Sequence, residues 1–279
     1  MLPSIVEKMP WTSDFTISHE HPGSVQVIDS SNGTDTCASV NAAFQKLIDI
    51  AIEKDIFSII HGQHSEKFSI PGANYPVHIE RFTTNLFGTC SRGAHMTAYV
   101  QTPEGIKIWV PRRSANVFTY PNMLDTTVAG GVKATDTPFE CIIAEADEEA
   151  SLPADLVKRD ARPCGVLTYL GRSDRGSGGE QGLLTPDITY AYDLELSSDI
   201  IPKPHDDEVK EFYLWDVATV KAALLRGEFK TNCALIMVDF FMRHGIITAD
   251  NEKDYVEIAM RMHRRLPFPT APEDEDNGR

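Results

Sequence analysis

Glu140, Glu145, Asp147, Glu148 and Glu149 crowd the stretch TPFECIIAEADEEASL at 137–152, and no Lys or Arg occurs between Lys133 and Lys158. Glu145 and Glu149 are four residues apart and Glu148 is three from Glu145, so on a helix these carboxylates project from neighbouring positions of one face. Like charges at that spacing cost roughly 0.2–0.5 kcal/mol per pair, and no cation within the segment offsets them. A bound cation would. The plain alternative is a solvated acidic face. Against it stands the pair Gly130-Gly131, a short loop upstream, where the backbone can approach a ligand closely. Hard divalent cations such as Mg²⁺ or Mn²⁺ take carboxylate, carbonyl and water oxygens together with substrate phosphates. The complement is therefore a small phosphorylated molecule. Such ions screen the repulsion that protects a diphosphate from attack and lower the pKa of a bound water.

The segment carries its own start signal. Thr137 stands at the N-cap, Pro138 at the first helical position and Glu140 three residues after the cap, which is a capping box. Phe139, Ile142, Ile143, Ala146 and Ala150 recur at spacings of three and four, predicting an apolar stripe against the protein body with the acids on the other side.

These residues resemble the Nudix box, G-x5-E-x7-R-E-U-x-E-E-x-G-U with U aliphatic. Laid on the sequence, the pattern begins at Gly130 and ends at Leu152, and Glu145, Glu148 and Glu149 match its metal-binding glutamates. Asp136 stands for Glu, Ala144 for the Arg that steadies the last glutamates, and Ser151 for the helix-ending Gly. The runs LFGTCSRGAHMTAYV, IWVPRRS, TYPNMLD, ITYAYDLEL and FKTNCALIMVDFFMRHGII are similar to one subgroup, found with thiamine pyrophosphokinase in fungi and as stand-alone relatives in plants and yeast. The resemblance covers about residues 40–268. It implies an α/β (α+β) fold, a Nudix α/β/α sandwich with a mixed sheet behind a small α/β N-terminal domain. It further implies metal-dependent hydrolysis of thiamine diphosphate analogues, oxothiamine or oxythiamine diphosphate, to the monophosphate. The metal ligands would be Glu145, Glu148, Glu149 and the Gly130 carbonyl. ADP-ribose or a nucleoside diphosphate derivative is the alternative substrate, because the box specifies diphosphate chemistry and not the attached group. A catalytically weakened, ligand-binding Nudix fold is the alternative to an enzyme, and Ala144 is the feature that favours it.

The general base has several candidates: Glu149, Glu148, or Glu208 in DDEVKEF ahead of the last strand, with Glu211 as runner-up. Arg112 and Arg113 suit bidentate phosphate contact, or are paired surface arginines. Trp109 and Tyr120 could stack on a substrate ring, or belong to the core.

The formal net charge of −15 disfavours nucleic acid as the main partner and requires that an anionic substrate be met by local cations and metal. No segment approaches a membrane span, and the start MLPSIVEKMPW has neither an apolar signal core nor an Arg-rich amphipathic pattern, so a cytoplasmic location is expected. A monomer and a homodimer both stay open. The five cysteines, Cys37, Cys90, Cys141, Cys164 and Cys233, form no C-x-x-C pair and read as reduced. The close pairs His19/His21 and His61/His64 lack further nearby ligands and read as loop residues.

The positioning elements follow from periodicity. Residues 1–38 read as an arm or a strand pair. Val40 to Ala51 marks a helix, Ile56–Ile60 a strand, and Ile79, Phe82 and Leu86 a second helix, closing an N-terminal domain at residue 88. From 89 to 268 the Nudix domain is predicted, opening with a hairpin of 94–101 and 106–111 around Pro103-Glu104-Gly105. Strands follow at Val166–Leu170, at Ile188–Leu196 as a half-buried alternation, and at Glu208–Trp215, with the loop GRSDRGSGGEQG as a lid. Three helices, Asp216–Arg226, Asn232–His244 and Asp250–His263, then close the fold, and 269–279 is an acidic, disordered tail.

Overall fold

A computed structural model describes residues 1–61 and 66–272; His64 and most of the acidic tail lie outside the described residues. The chain forms two compact units, one of Met1–Ser91, Leu170–Pro186 and Leu266 onward, the other of Arg92–Tyr169 and Asp187–Arg265. No helix among the described residues is long and apolar enough to cross a membrane.

The first unit opens with α1 (Pro3–Lys8) and the antiparallel pair β1 (Phe15–Ser18) and β2 (Ser24–Val27), the strand pair among the expected alternatives. Its longest element is α2 (Thr36–Glu53), where the Asp35 carboxylate accepts the Ala38 N–H at 3.1 Å. Ile56–Ile60 is not a strand. Ser58–Ile60 makes one 3₁₀ turn, because the Glu180 carboxylate accepts the N–H groups of Ser58 and Ile59 at 2.6 and 3.1 Å, and Phe57, Ile59 and Ile60 are all buried rather than alternating. The second expected helix resolves into three pieces. Ile79 lies in β4 (His78–Glu80), paired antiparallel with β3 (Lys67–Ser69); a 3₁₀ turn at Arg81–Thr83 and the short α3 (Thr84–Phe87) follow. The spacing of Ile79, Phe82 and Leu86 thus comes from strand, turn and helix in succession. The glycine-rich loop belongs to this unit through Glu180 and the buried Leu183, so within it the loop is packed structure and not a lid.

The second unit is built on a six-stranded sheet. It comprises β5 (Ser91–Thr102), β6 (Gly105–Arg113), β7 (Val128–Gly131), β8 (Arg162–Arg172), β9 (Leu184–Glu195) and β10 (Val209–Asp216), in the order β10-β6-β5-β9-β8, with β7 also paired to β5. The fold is α/β with a mixed sheet and helices on both faces. Alternate residues of a strand face opposite sides. Ala94, Met96, Ala98 and Val100 of β5 meet α4 (Pro138–Ala150) and α5 (Ala154–Asp160), whereas Tyr99, Ile108 and Val110 meet α6 (Val217–Leu225) and α7 (Thr231–Arg243). The last helix is α8 (Tyr255–Met262). Two layers of helix also overturn the half-buried reading of β9: Thr189 and Asp193 are buried as well, and Asp193 is met by Arg243 and His244 of the α7 end.

Candidate metal and diphosphate site

The capping box forms as the sequence predicts: Thr137 Oγ1 accepts the Glu140 N–H, and the Glu140 carboxylate accepts the Thr137 N–H. It fixes where α4 begins, and hence which residues of α4 lie over β7. Gly93↔Gly131 and Ala94↔Gly130 set β7 antiparallel to β5, and α4 packs on it. Glu145 lies directly across Gly130: a Cβ there would collide with the Glu145 carboxyl. One turn later, Glu149 is only 6% exposed, and its carboxylate accepts the Ala129 N–H at 2.9 Å. This corrects the expectation that the acids all take the solvent side. Glu149 is turned into the protein, Glu145 is half-buried and Glu148 is exposed. Burial, then Glu145, Asp125 and Glu208, push the Glu149 carboxyl well above its ordinary range, against the Ala129 hydrogen bond. Carboxylates held together at such cost suit a divalent cation, which removes both the burial penalty and the repulsion. Glu145, Glu149 and the Gly130 carbonyl are oxygen donors of the kind that Mg²⁺ or Mn²⁺ takes, while Glu148 stays on the exposed side of α4.

Ser151 ends α4 at φ +53, the left-handed conformation that a glycine takes without strain, and its hydroxyl donates to the Lys203 carbonyl at 3.0 Å. Ala144 is exposed. The Ala129 amide steadies Glu149 in its place.

Behind Glu149 lies a buried polar cluster that no spacing in the sequence announces. His95 on β5, Asp125 in the segment after β6, and Cys233 in the first turn of α7 bring their ligand atoms within 4.8 Å of one another. Their charges are nevertheless already matched. Asp125 receives Arg113 Nη1 at 3.0 Å, has Lys230 Nζ at 4.0 Å and accepts the Cys233 thiol at 2.6 Å. Burial opposes ionisation of Asp125, but Lys230 and Arg113 outweigh it and bring the carboxyl to about 2. Burial pushes the Cys233 thiol far up and the His95 imidazole down to about 4, so both are neutral near pH 7. His95 Nδ1 shares a hydrogen bond with the Thr126 hydroxyl at 2.8 Å, and Asn232 lies 3.4 Å from Nε2. A carboxylate bonded to Arg113, faced by the Lys230 ammonium and accepting a neutral thiol beside a neutral imidazole is a hydrogen-bonded network and not a cation site.

An uncharacterised Saccharomyces cerevisiae protein, YJR142W, is 40% identical over 76% of this chain and 64% of its own length. Nudix hydrolase 20, chloroplastic, of Arabidopsis thaliana is 34% identical over 74% of the chain and 54% of that protein; Nudix hydrolase 24 is 32% identical over 73% and 54%. Over about three quarters of its length the chain is similar to these two Nudix hydrolases. It spans less than two thirds of the length of each of these relatives. No family model matches it. Among solved structures, the Nudix domain of Shewanella oneidensis NrtR complexed with ADP ribose is 13% identical, with TM-score 0.41 over 55% of this chain and 86% of that one.

The remaining residues singled out from the Nudix pattern are placed as follows. Glu208 is exposed immediately before β10, and its charge reaches both Glu149 and Arg113. Glu211 is held by a hydrogen bond with Tyr213 and pairs with Lys210 at 3.6 Å. Arg113 is 7% exposed, and its guanidinium is spent on Asp125 and on the Thr119 carbonyl, at 3.2 Å from Nε and 3.1 Å from Nη2. It is neither a surface arginine nor free for phosphate. Arg112 lies against Tyr213 and donates to the Asn122 carbonyl at 2.8 Å. Trp109 is buried in the core that packs under α4, as the core alternative had it, and Tyr120 sits half-buried in the turn beside Arg113 at φ +50. His95, Asp125, Lys230 and Asn232 lie in the runs GAHMTAY, TYPNMLD and FKTNC and share no spacing; only His95 carries a signal, a polar ring inside a mostly apolar strand.

Proposed function

We propose that this chain is a metal-dependent pyrophosphohydrolase that cleaves the phosphoanhydride of a small-molecule diphosphate. The observation that carries this reading is the seat of Glu145 and Glu149 over Gly130 and Ala129, where Glu149 is buried with no cationic side chain bonded to it among the described residues. Glu145, Glu148, Glu149 and the Gly130 carbonyl would hold Mg²⁺ or Mn²⁺, which when bound neutralises diphosphate charge and acidifies a water. Glu149 is positioned by the Ala129 amide, and Glu208, close enough to act on Glu149, is the proton acceptor favoured over Glu211.

The substrate favoured is a thiamine diphosphate analogue, oxothiamine or oxythiamine diphosphate, cleaved to the monophosphate and phosphate; the support is the resemblance of the runs outside the box to the thiamine-related subgroup. ADP-ribose or a nucleoside diphosphate derivative is the second reading. Phosphate release measured with Mg²⁺ and with Mn²⁺ across thiamine diphosphate, its oxidised analogues, ADP-ribose and nucleoside diphosphates decides between them. The highest kcat/KM is expected for an oxidised thiamine diphosphate. Release from none of these compounds would reject the hydrolase reading and leave the ligand-binding fold that Ala144 favours.

A further inference from the structure

Resting on the pyrophosphohydrolase reading, we infer that Lys230, rather than either arginine of the Arg112-Arg113 pair, grips the substrate's diphosphate. In a chain of net charge −15 an incoming diphosphate must be met by a cation placed for it. Two cations share Asp125, and they are used differently. Arg113 is consumed by the Asp125 carboxylate and the Thr119 carbonyl. The Lys230 ammonium stands 4.0 Å from Asp125, beyond hydrogen-bond distance, and makes no side-chain hydrogen bond among the described residues. Its side chain is 18% exposed, so the residue is not sealed off although its ammonium is largely stripped of water. A Lys head group carries three donors, and leaving them unfilled in a desolvated place is costly unless a ligand fills them.

The surroundings fit a phosphate. Asp125 above all keeps the amine charged despite its burial. Asp125 in turn gathers with His95, the ladder partner of Ala129, whose amide holds Glu149, so Lys230 stands beside the strand that seats the carboxylate site. Next to it, Asn232 turns its side-chain amide towards His95 Nε2. Lys230 owes its position to two backbone ties: its N–H donates to the Leu124 carbonyl at 2.9 Å, and its own carbonyl accepts the Ala234 N–H at 2.9 Å at the start of α7. Opposite charges then divide the work: carboxylates of α4 collect divalent ions, and the ammonium collects phosphate oxygens that those ions leave uncovered.

The test uses the full chain and inorganic pyrophosphate as probe, titrated calorimetrically in Mg²⁺ for the wild type, Lys230→Gln and Lys230→Arg. Manganese affinity without pyrophosphate is measured alongside. Lys230→Gln is expected to weaken pyrophosphate at least tenfold while binding Mn²⁺ as tightly as the wild type or more tightly, since a neighbouring positive charge has gone. Lys230→Arg should stay within about threefold for pyrophosphate. The opposite direction of the two affinities separates loss of a phosphate contact from a damaged fold, which would weaken both. Pyrophosphate affinity within twofold of wild type in Lys230→Gln, or parallel loss of both ligands, overturns the assignment of Lys230 while phosphate release by the wild type still stands. If the wild type neither binds pyrophosphate nor releases phosphate, the hydrolase reading falls and this assignment falls with it.

Discussion

Replacing Glu149 by Gln separates a tolerated charge from a used one. The Gln carbonyl can still accept the Ala129 N–H, so the 2.9 Å hydrogen bond survives and only the negative charge is lost. Without metal, Glu149 is buried among Glu145, Asp125 and Glu208, and its carboxyl is raised, first by burial. A carboxyl raised in the folded state weakens the fold as pH climbs from the ordinary Glu range towards its folded value, and Gln removes that penalty. The i,i+4 repulsion with Glu145 alone is about 0.5 kcal/mol, which sets a floor of 1–2 °C on the rise in metal-free Tm, at roughly 2–4 °C per kcal/mol for a unit of this size. With metal the sign reverses. At a hundred times its Kd, Mg²⁺ stabilises the wild type by about 2.7 kcal/mol, roughly 5–10 °C, and a tenfold weaker Kd in the mutant removes about 1.4 kcal/mol of that. Turnover should fall at least about 100-fold. Asp147→Asn, at an exposed α4 position that is not a ligand position of the box, should change neither quantity. Melts with and without Mg²⁺, run beside a phosphate-release assay, read all of this. Equal turnover in the two mutants, or an undiminished Mg²⁺ shift in Glu149→Gln, would refute the reasoning.

Gly130→Ala should leave metal-free Tm within about 3 °C, since the Glu145 side chain can swing aside, yet weaken Mn²⁺ at least tenfold by displacing that carboxyl; a manganese titration that matches wild type would show that Glu145 is not a ligand. His95 predicts an acid limb. Burial and the nearby Lys230 bring its folded value to about 4 from 6.5, so its stabilising contribution is complete above pH 6.5 and is lost as pH falls towards 4, worth roughly 3 kcal/mol over that window. Urea unfolding from pH 7 to pH 4 should show this loss in the wild type and a shallower one in His95→Asn; identical slopes would count against a buried neutral imidazole.

Local chemistry was legible in the chain itself. Thr137, Pro138 and Glu140 mark the start of α4 because a cap is satisfied within four residues, and the hairpin of β5 and β6 follows from alternation around Pro103-Glu104-Gly105, also a short-range matter. That Glu145 and Glu149 sit one turn apart on α4 was readable because the helix period fixes it, whereas Gly130 came from the resemblance to the Nudix box. Burial was not readable from periods. Periodicity placed the acids of α4 outward, yet β7 gives Glu149 an amide and a roof; it made β9 half-polar, yet α7 answers Asp193 with Arg243. Ile56–Ile60 has the composition of a strand but bends into a turn, because the acceptor for its amides is Glu180, far along the chain. The Asp125 cluster belongs to the same class: residues from β5, the segment after β6 and α7 meet only once the sheet is folded, and which cation is spent and which is left for a ligand depends on distances that no local spacing encodes.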